Sequence, residues 1–219
     1  MLIKALPVLP ADVWENVIDH IRDNSNALTA CTLVCRTWYP RSRFYLLREV
    51  WFHSQGDVRI CSRMLKKTPQ LSKRVEQMII QGSAHLGEQK PEPVPHLSTA
   101  AMMLARKVPR LKKLSIWQTS TIHRDTFLHL FAFTSISHLN LASVMFPSIA
   151  VFGLLICALR SLIGLDCWGL TFMQGTLNST VFGAHRDPVK IRELSLNGTG
   201  LGEVIKFFVS TGIGSSSRF

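Results

Sequence analysis

The stretch Leu111-Lys112-Lys113-Leu114-Ser115-Ile116-Trp117 decides how this chain is read. Its apolar residues fall at the first, fourth and sixth positions, and the last two alternate as in a strand with one buried face. The same spacing occurs at Val75/Met78/Ile80, Ile136/Leu139/Leu141, Leu162/Leu165/Cys167 and Ile191/Leu194/Leu196. Measured at the middle residue, successive steps are 36, 25, 26 and 29 residues. The last three steps have room for one strand and one helix each, and a fixed period of this size signals stacked units that share a core.

Helix-like runs separate the strand-like ones: Val58–Lys67, Ser98–Lys107 with Ser98 as its cap, Asp125–Ala132, Ser148–Leu159 and Val204–Val209. Gly82 to His96 is rich in glycine and proline, reads as an exposed loop, and accounts for the long first step. A repeated helix-then-strand unit resembles leucine-rich repeats, in a degenerate form. The asparagine that often follows the strand is absent from most units, and Asn197 is the nearest match. The expected fold is therefore α/β, with a curved solenoid of alternating helices and parallel strands over residues 53–219. Gly212 to Phe219 carries no apolar pattern, so the array reads as incomplete at that end.

In such strands alternate side chains leave the core for the concave face. They are Lys113, Ser115 and Trp117; His138, Asn140 and Ala142; Asp166 and Trp168; Glu193, Ser195 and Asn197. Lys113, Trp117, His138, Asn140, Asp166 and Trp168 are the candidate contacts for a target protein. Two indoles on an open sheet would suit a binding hot spot. Alternatively, both pack against loops.

Upstream of the repeats, Leu9-Pro10 opens a helix whose stripe is Val13, Trp14, Val17, Ile18 and Ile21. Asp23-Asn24-Ser25-Asn26 is a turn and cap cluster. A second helix would carry Leu28, Cys31, Val34, Cys35 and Trp38 to a stop or kink at Pro40, and Phe44, Tyr45, Leu47 and Val50 a third. Three short helices make a core that is marginal alone, so burial of leftover apolar surface against a partner would stabilise it.

The order Leu9-Pro10-x-x-Val13-Trp14-x-x-Val17-Ile18, then Val34-Cys35-x-x-Trp38, resembles an F-box, in particular that of fungal F-box-like proteins. Asp12 stands where a glutamate is usual. The resemblance covers about residues 7–52. It implies a small three-helix domain that docks on the Skp adaptor of an SCF ubiquitin ligase and, through it, on a cullin. Leu9, Pro10, Val13, Trp14, Val17, Ile18, Ile21, Val34, Cys35 and Trp38 are the implied docking residues. On this reading the chain is a substrate-recognition adaptor, not an enzyme, and needs no cofactor.

Composition narrows the alternatives. The hydrophobic fraction is 47% and the charged fraction 18%, which suits a packed core rather than a disordered chain. The net charge is +11, and its excess is concentrated between Gly56 and Arg110, with ten basic and four acidic residues. The stretch Arg59–Lys113 therefore offers an alternative, a nucleic-acid or membrane-surface contact, although no nucleic-acid-binding motif accompanies it. Thr126 to Leu159 lacks Asp, Glu, Lys and Arg, but its densest part, Ile149–Leu159, is shorter than the ~20 residues a spanning helix needs. Five irregularly spaced cysteines and the absence of a secretory pattern suggest a reducing compartment, cytoplasm or nucleus.

Catalytic and metal motifs are not expected. Cys31-x-x-x-Cys35 is helical spacing with no second pair, and His123 with His129 lacks a third ligand. Gly198-Thr199-Gly200-Leu201-Gly202 lacks the spacing of a phosphate loop and its lysine.

Overall fold

The computed structural model describes residues 10–82, 95–119, 126–130, 132–174 and 191–211. It divides into two units, Met1–Arg48 and Glu49–Phe219.

In the first unit, α1 (Ala11–His20), α2 (Ser25–Val34) and α3 (Trp38–Leu46) follow one another across short turns. Pro10 is the extended residue before α1 rather than part of its first turn, and its carbonyl accepts from the Val13 N–H. Asn24 caps α2, its Oδ1 accepting from Ala27 N at 3.0 Å. Ile18, Leu28 and Leu47 are buried, and the Trp14 and Trp38 rings meet at 4.6 Å. Arg41 grips Asp19 with two hydrogen bonds of 2.6 and 2.5 Å, and the Tyr45 hydroxyl donates to the same carboxylate. That fork is the geometry in which arginine binds a carboxylate most strongly.

Three sequence expectations change here. Trp38 and Cys35 do not belong to the second helix: Cys35 is extended, and Trp38 opens α3. Pro40 lies inside the first turn of α3, where its missing N–H has no helical acceptor in any case. The division between the units falls at Arg48, not residue 52, because Glu49–Phe52 pairs with Gln77–Ile80 as the first strand of the sheet.

The second unit is α/β. Its elements are β1 (Glu49–Phe52), α4 (Gln55–Lys67), α5 (Pro69–Ser72), β2 (Gln77–Gln81), α6 (Pro95–Leu104), β3 (Lys113–Thr119), α7 (Thr126–Leu130), β4 (His138–Ser148), α8 (Ile149–Ala158), β5 (Gly164–Trp168), β6 (Thr171–Gln174), β7 (Glu193–Asn197) and α9 (Leu201–Thr211). The order β1-β2-β3-β4-β5-β7 follows the chain, and every described pairing is parallel. β6 pairs with the far half of β4 instead. In each of the five spaced apolar motifs the last two residues lie on one of these strands and the first lies two residues before it. The motif also recurs at Leu47-x-x-Val50-x-Phe52, of which the sequence reading placed Leu47 and Val50 in a helix.

Capping explains where the helices begin. Ser54 and Asp57 form a reciprocal capping box on α4, and Ser148 caps α8. Ser98 does not cap α6. That helix starts at Pro95, and the Ser98 hydroxyl donates back to the Pro95 carbonyl. His96, expected in the loop, is therefore a buried helical residue.

Strand residues Val50, Phe52, Met78, Ile80, Leu114, Ile116, Leu139, Leu141, Leu165 and Cys167 share one core with Val58, Leu65, Leu104, Phe152, Leu155 and Phe207 from the helices. By strand alternation the opposite sheet face is turned away from these helices. β4 shows how the chain leaves that geometry. Leu139 and Leu141 face the core, and so do Val144 and Phe146, which strict alternation would point outward. Ser143 between them is left-handed, with φ 53°, and reverses the parity. The residues at the same register position on β3 and just beyond β5 and β7 are also left-handed: Gln118 at 52°, Gly169 at 62° and Gly198 at 86°. Four neighbouring strands, β3, β4, β5 and β7, thus carry a left-handed residue at one common level, on the strand or just beyond its end.

Candidate functional site

The first candidate surface is on the helical unit. Val13 and Val17 are one turn apart on α1 and exposed, at 41% and 46%. Leu33 and Val34 at the end of α2 are exposed at 83% and 60%, and Tyr39 is also exposed. Pro10 and Cys35 are exposed, whereas Trp14, Ile21 and Trp38 are half-buried and Ile18 is buried. The expected docking residues therefore divide: Ile18 and the Trp14–Trp38 pair build the unit's interior, and Val13, Val17 and Val34 face out. Leu9 lies outside the described residues. The Cys35 thiol accepts or donates at 3.0 Å to Thr37 Oγ1, and this contact with nearby backbone N–H groups pulls its pKa below the ordinary thiol value.

The second surface is the sheet face that carries no helix among the described residues of the second unit. Register places its residues in three rows. Across the first run Glu49, Gln77, Lys113, His138, Gly164 and Glu193; across the second, Trp51, Ile79, Ser115, Asn140, Asp166 and Ser195; across the third, Gln81, Trp117, Ala142, Trp168 and Asn197. All six residues expected to contact a target lie in these rows.

The two expected tryptophans differ. Trp168 is 57% exposed. Trp117 is half-buried, and its ring meets that of Trp51 edge-on at 5.2 Å. These indoles come from β3 and β1, so they meet across β2, whose Ile79 is 1% exposed. Among the described residues, Trp117 Nε1 and the buried Ser115 hydroxyl have no hydrogen-bond partner. The contribution of Trp51 was hidden in the sequence because Val50 beside it was read as helical, whereas Ile79 lies on a strand that the spacing did mark.

Toward β7 the face is polar. A cavity of about 460 Å³ is lined by Lys113, His138, Asn140, Asp166, Glu193 and Ser195, with Gly164 between them. His138 Nε2 stands 3.8 Å from Glu193 Oε2, an ion pair whenever the imidazole is protonated. Asp166 makes no ion pair or hydrogen bond with the described residues.

The basic stretch is dispersed over several elements: Arg59, Arg63, Lys66 and Lys67 on α4, Lys73 and Arg74 after α5, Arg106, Lys107, Arg110 and Lys112 between α6 and β3, and Lys113 on β3. Lys107 is held inward, its ammonium donating to the Ser62 hydroxyl at 2.5 Å. Among the described residues no group of three or more His, Cys, Asp or Glu side chains could hold a metal ion, and no helix is long and apolar enough to cross a membrane. No protein-family model matches this sequence, and no curated protein matches it significantly.

Proposed function

We propose that the chain is a substrate-recognition adaptor of an SCF-type ubiquitin ligase, with an F-box in the helical unit that ends at Arg48 and docks on a Skp-type adaptor. The observation that carries this reading is the outward-facing apolar set Val13, Val17, Leu33 and Val34 on so small a helical unit. Exposed apolar side chains at this density favour a partner that covers them. Their order along the chain, within the Leu-Pro and Val-Cys-x-x-Trp pattern, supports an F-box as the kind of domain. The helix-free sheet face then serves as the target-binding surface of a degenerate leucine-rich solenoid. On this reading the protein performs no chemistry itself and works in the cytoplasm or nucleus.

Co-purification of the full chain with a Skp-type adaptor tests the proposal. Val17→Asp leaves the buried residues of the unit untouched and should weaken capture at least about tenfold, because an unpaired carboxylate would be buried at the contact. Unchanged capture by Val17→Asp and Val34→Asp would overturn the assignment. Trp14→Ala is a poorer probe, since Trp14 packs on Trp38 and its loss disturbs the unit itself.

A further inference from the structure

We infer that the cavity on the helix-free sheet face binds the guanidinium of a single arginine, presented by an otherwise neutral or acidic segment of the partner protein, with Asp166 as its counter-charge. The inference rests on the reading of this face as the target-binding surface, and it assigns that target a chemistry.

Gly164 lies between His138 and Glu193 in the first row, and the His138 ring, which lies over it, lines the cavity together with Glu193. Asp166, two residues along β5, points to the same face and is exposed. On either side it is flanked in register by Asn140 and Ser195, whose side-chain oxygens can accept hydrogen bonds. A carboxylate between two neutral acceptors matches a flat group with several N–H donors. A guanidinium is such a group, and an ammonium offers fewer donors in no fixed plane.

Trp168 supplies the second element of recognition. It follows Asp166 on the same face by two rises of about 3.3 Å, and its ring is largely exposed. Its register neighbour on β4 is Ala142, which is too small to cover it. An arginine held by Asp166 can lay its guanidinium or its stem along this indole, the arrangement in which cation–π contact and stacking act together.

Charge limits what surrounds the arginine. Lys113 and Arg192 also line the cavity, and the chain carries +11 overall. A second cation on the ligand would meet one of them, and a polybasic segment would be repelled before contact. Acidic neighbours of the arginine would instead face Lys113 and Arg192.

The probe is the blocked tripeptide acetyl-Glu-Arg-Glu-amide, titrated at millimolar concentration into the full chain, with the Trp168 indole N–H followed by nitrogen-15 NMR. The expected result is a saturable shift of that resonance, with the Trp51 resonance unmoved. Asp166→Asn should weaken binding about tenfold or more, and Trp168→Ala several-fold. The glutamine analogue acetyl-Glu-Gln-Glu-amide should give no saturable shift, and the lysine analogue should bind more weakly than the arginine peptide. Equal binding of the glutamine peptide, no shift with the arginine peptide, or unchanged affinity in Asp166→Asn would each overturn the inference. Both substitutions lie outside the helical unit, so Skp-adaptor capture reads the other proposal separately.

Discussion

His138 leans over Gly164 so closely that a Cβ on the glycine would lie 2.6 Å from the imidazole Cδ2. The ring crosses β5 at the one position in its row without a side chain and brings Nε2 to Glu193 on β7. Gly164 is therefore the residue that lets neighbouring strands communicate across the face.

Gly164→Ala should displace the exposed His138 ring and break its approach to Glu193 at a cost below about 1 kcal/mol, because an exposed ion pair contributes little. Gly82→Ala should behave differently. Its Cβ would stand 2.2 Å from the Gln118 carbonyl oxygen, a backbone atom that cannot swing away. Denaturant titration should show a loss of about 1–3 kcal/mol for Gly82→Ala, and His138 ring resonances should move only in Gly164→Ala.

Leu139 and Leu165 are register partners in the core, each 2% exposed. Truncation of either to alanine should destabilise the α/β unit by about 2–5 kcal/mol in urea unfolding. Val209→Ala, at an exposed position of α9, should stay within about 0.5 kcal/mol of the parent.

Stability should fall on mild acidification because of His96. Burial holds its imidazole pKa below the ordinary value, and this outweighs the hydrogen bond to the Gln81 carbonyl and the nearby Asp57, which act the other way. The unfolded chain then takes up the proton first as pH drops. The contribution is complete above the unfolded value of about 6.5 and is lost as pH falls through the folded one. The urea midpoint should decline between about pH 7 and pH 5, and His96→Gln should flatten that decline.

Asp19 makes the helical unit sensitive to stronger acid. The Arg41 hydrogen bonds lower its pKa, against an opposing effect of burial, and the Tyr45 hydroxyl adds to the lowering. A depressed carboxylate stabilises the fold above its unfolded value of about 3.9, and the contribution disappears as pH falls through the folded value. Near-ultraviolet circular dichroism of the Trp14–Trp38 pair should show this acid transition. Asp19→Asn should remove it, and Arg41→Lys should not restore the parent behaviour, because an ammonium cannot make the paired contact.

Thiol labelling of the native chain should rank the cysteines by environment. Cys35 is exposed with a lowered pKa and should react first. Burial pushes Cys61 up to about 11 and Cys167 higher still, so both should react only after unfolding. Labelling of Cys167 as fast as Cys35 in the folded chain would contradict the packing described above.

The strand periodicity was legible because it has a single physical cause: a parallel strand with one face on the core must alternate, and Leu114, Leu139, Leu165 and Leu194 could be aligned from spacing alone. Alternation also put Lys113, Trp117, His138, Asn140, Asp166 and Trp168 on one face before any coordinates. The α3 boundary and β1 were not legible, because Val50 and Phe52 suit a helix or a strand equally until β2 supplies hydrogen-bonding partners. The common left-handed level at Gln118, Ser143, Gly169 and Gly198 was equally hidden, since only two of the four residues are glycine.

From the chain itself, then, come the α/β class, the repeat and the apolar stripe of the first helix, because each depends on residues near one another in sequence. Tertiary structure alone decided which members of that stripe face solvent, that Trp51 meets Trp117 across β2, and that the His138 ring lies over Gly164 toward Glu193. These depend on which strand lies next to which and at what register, relations that residues distant in sequence acquire only when the sheet is assembled.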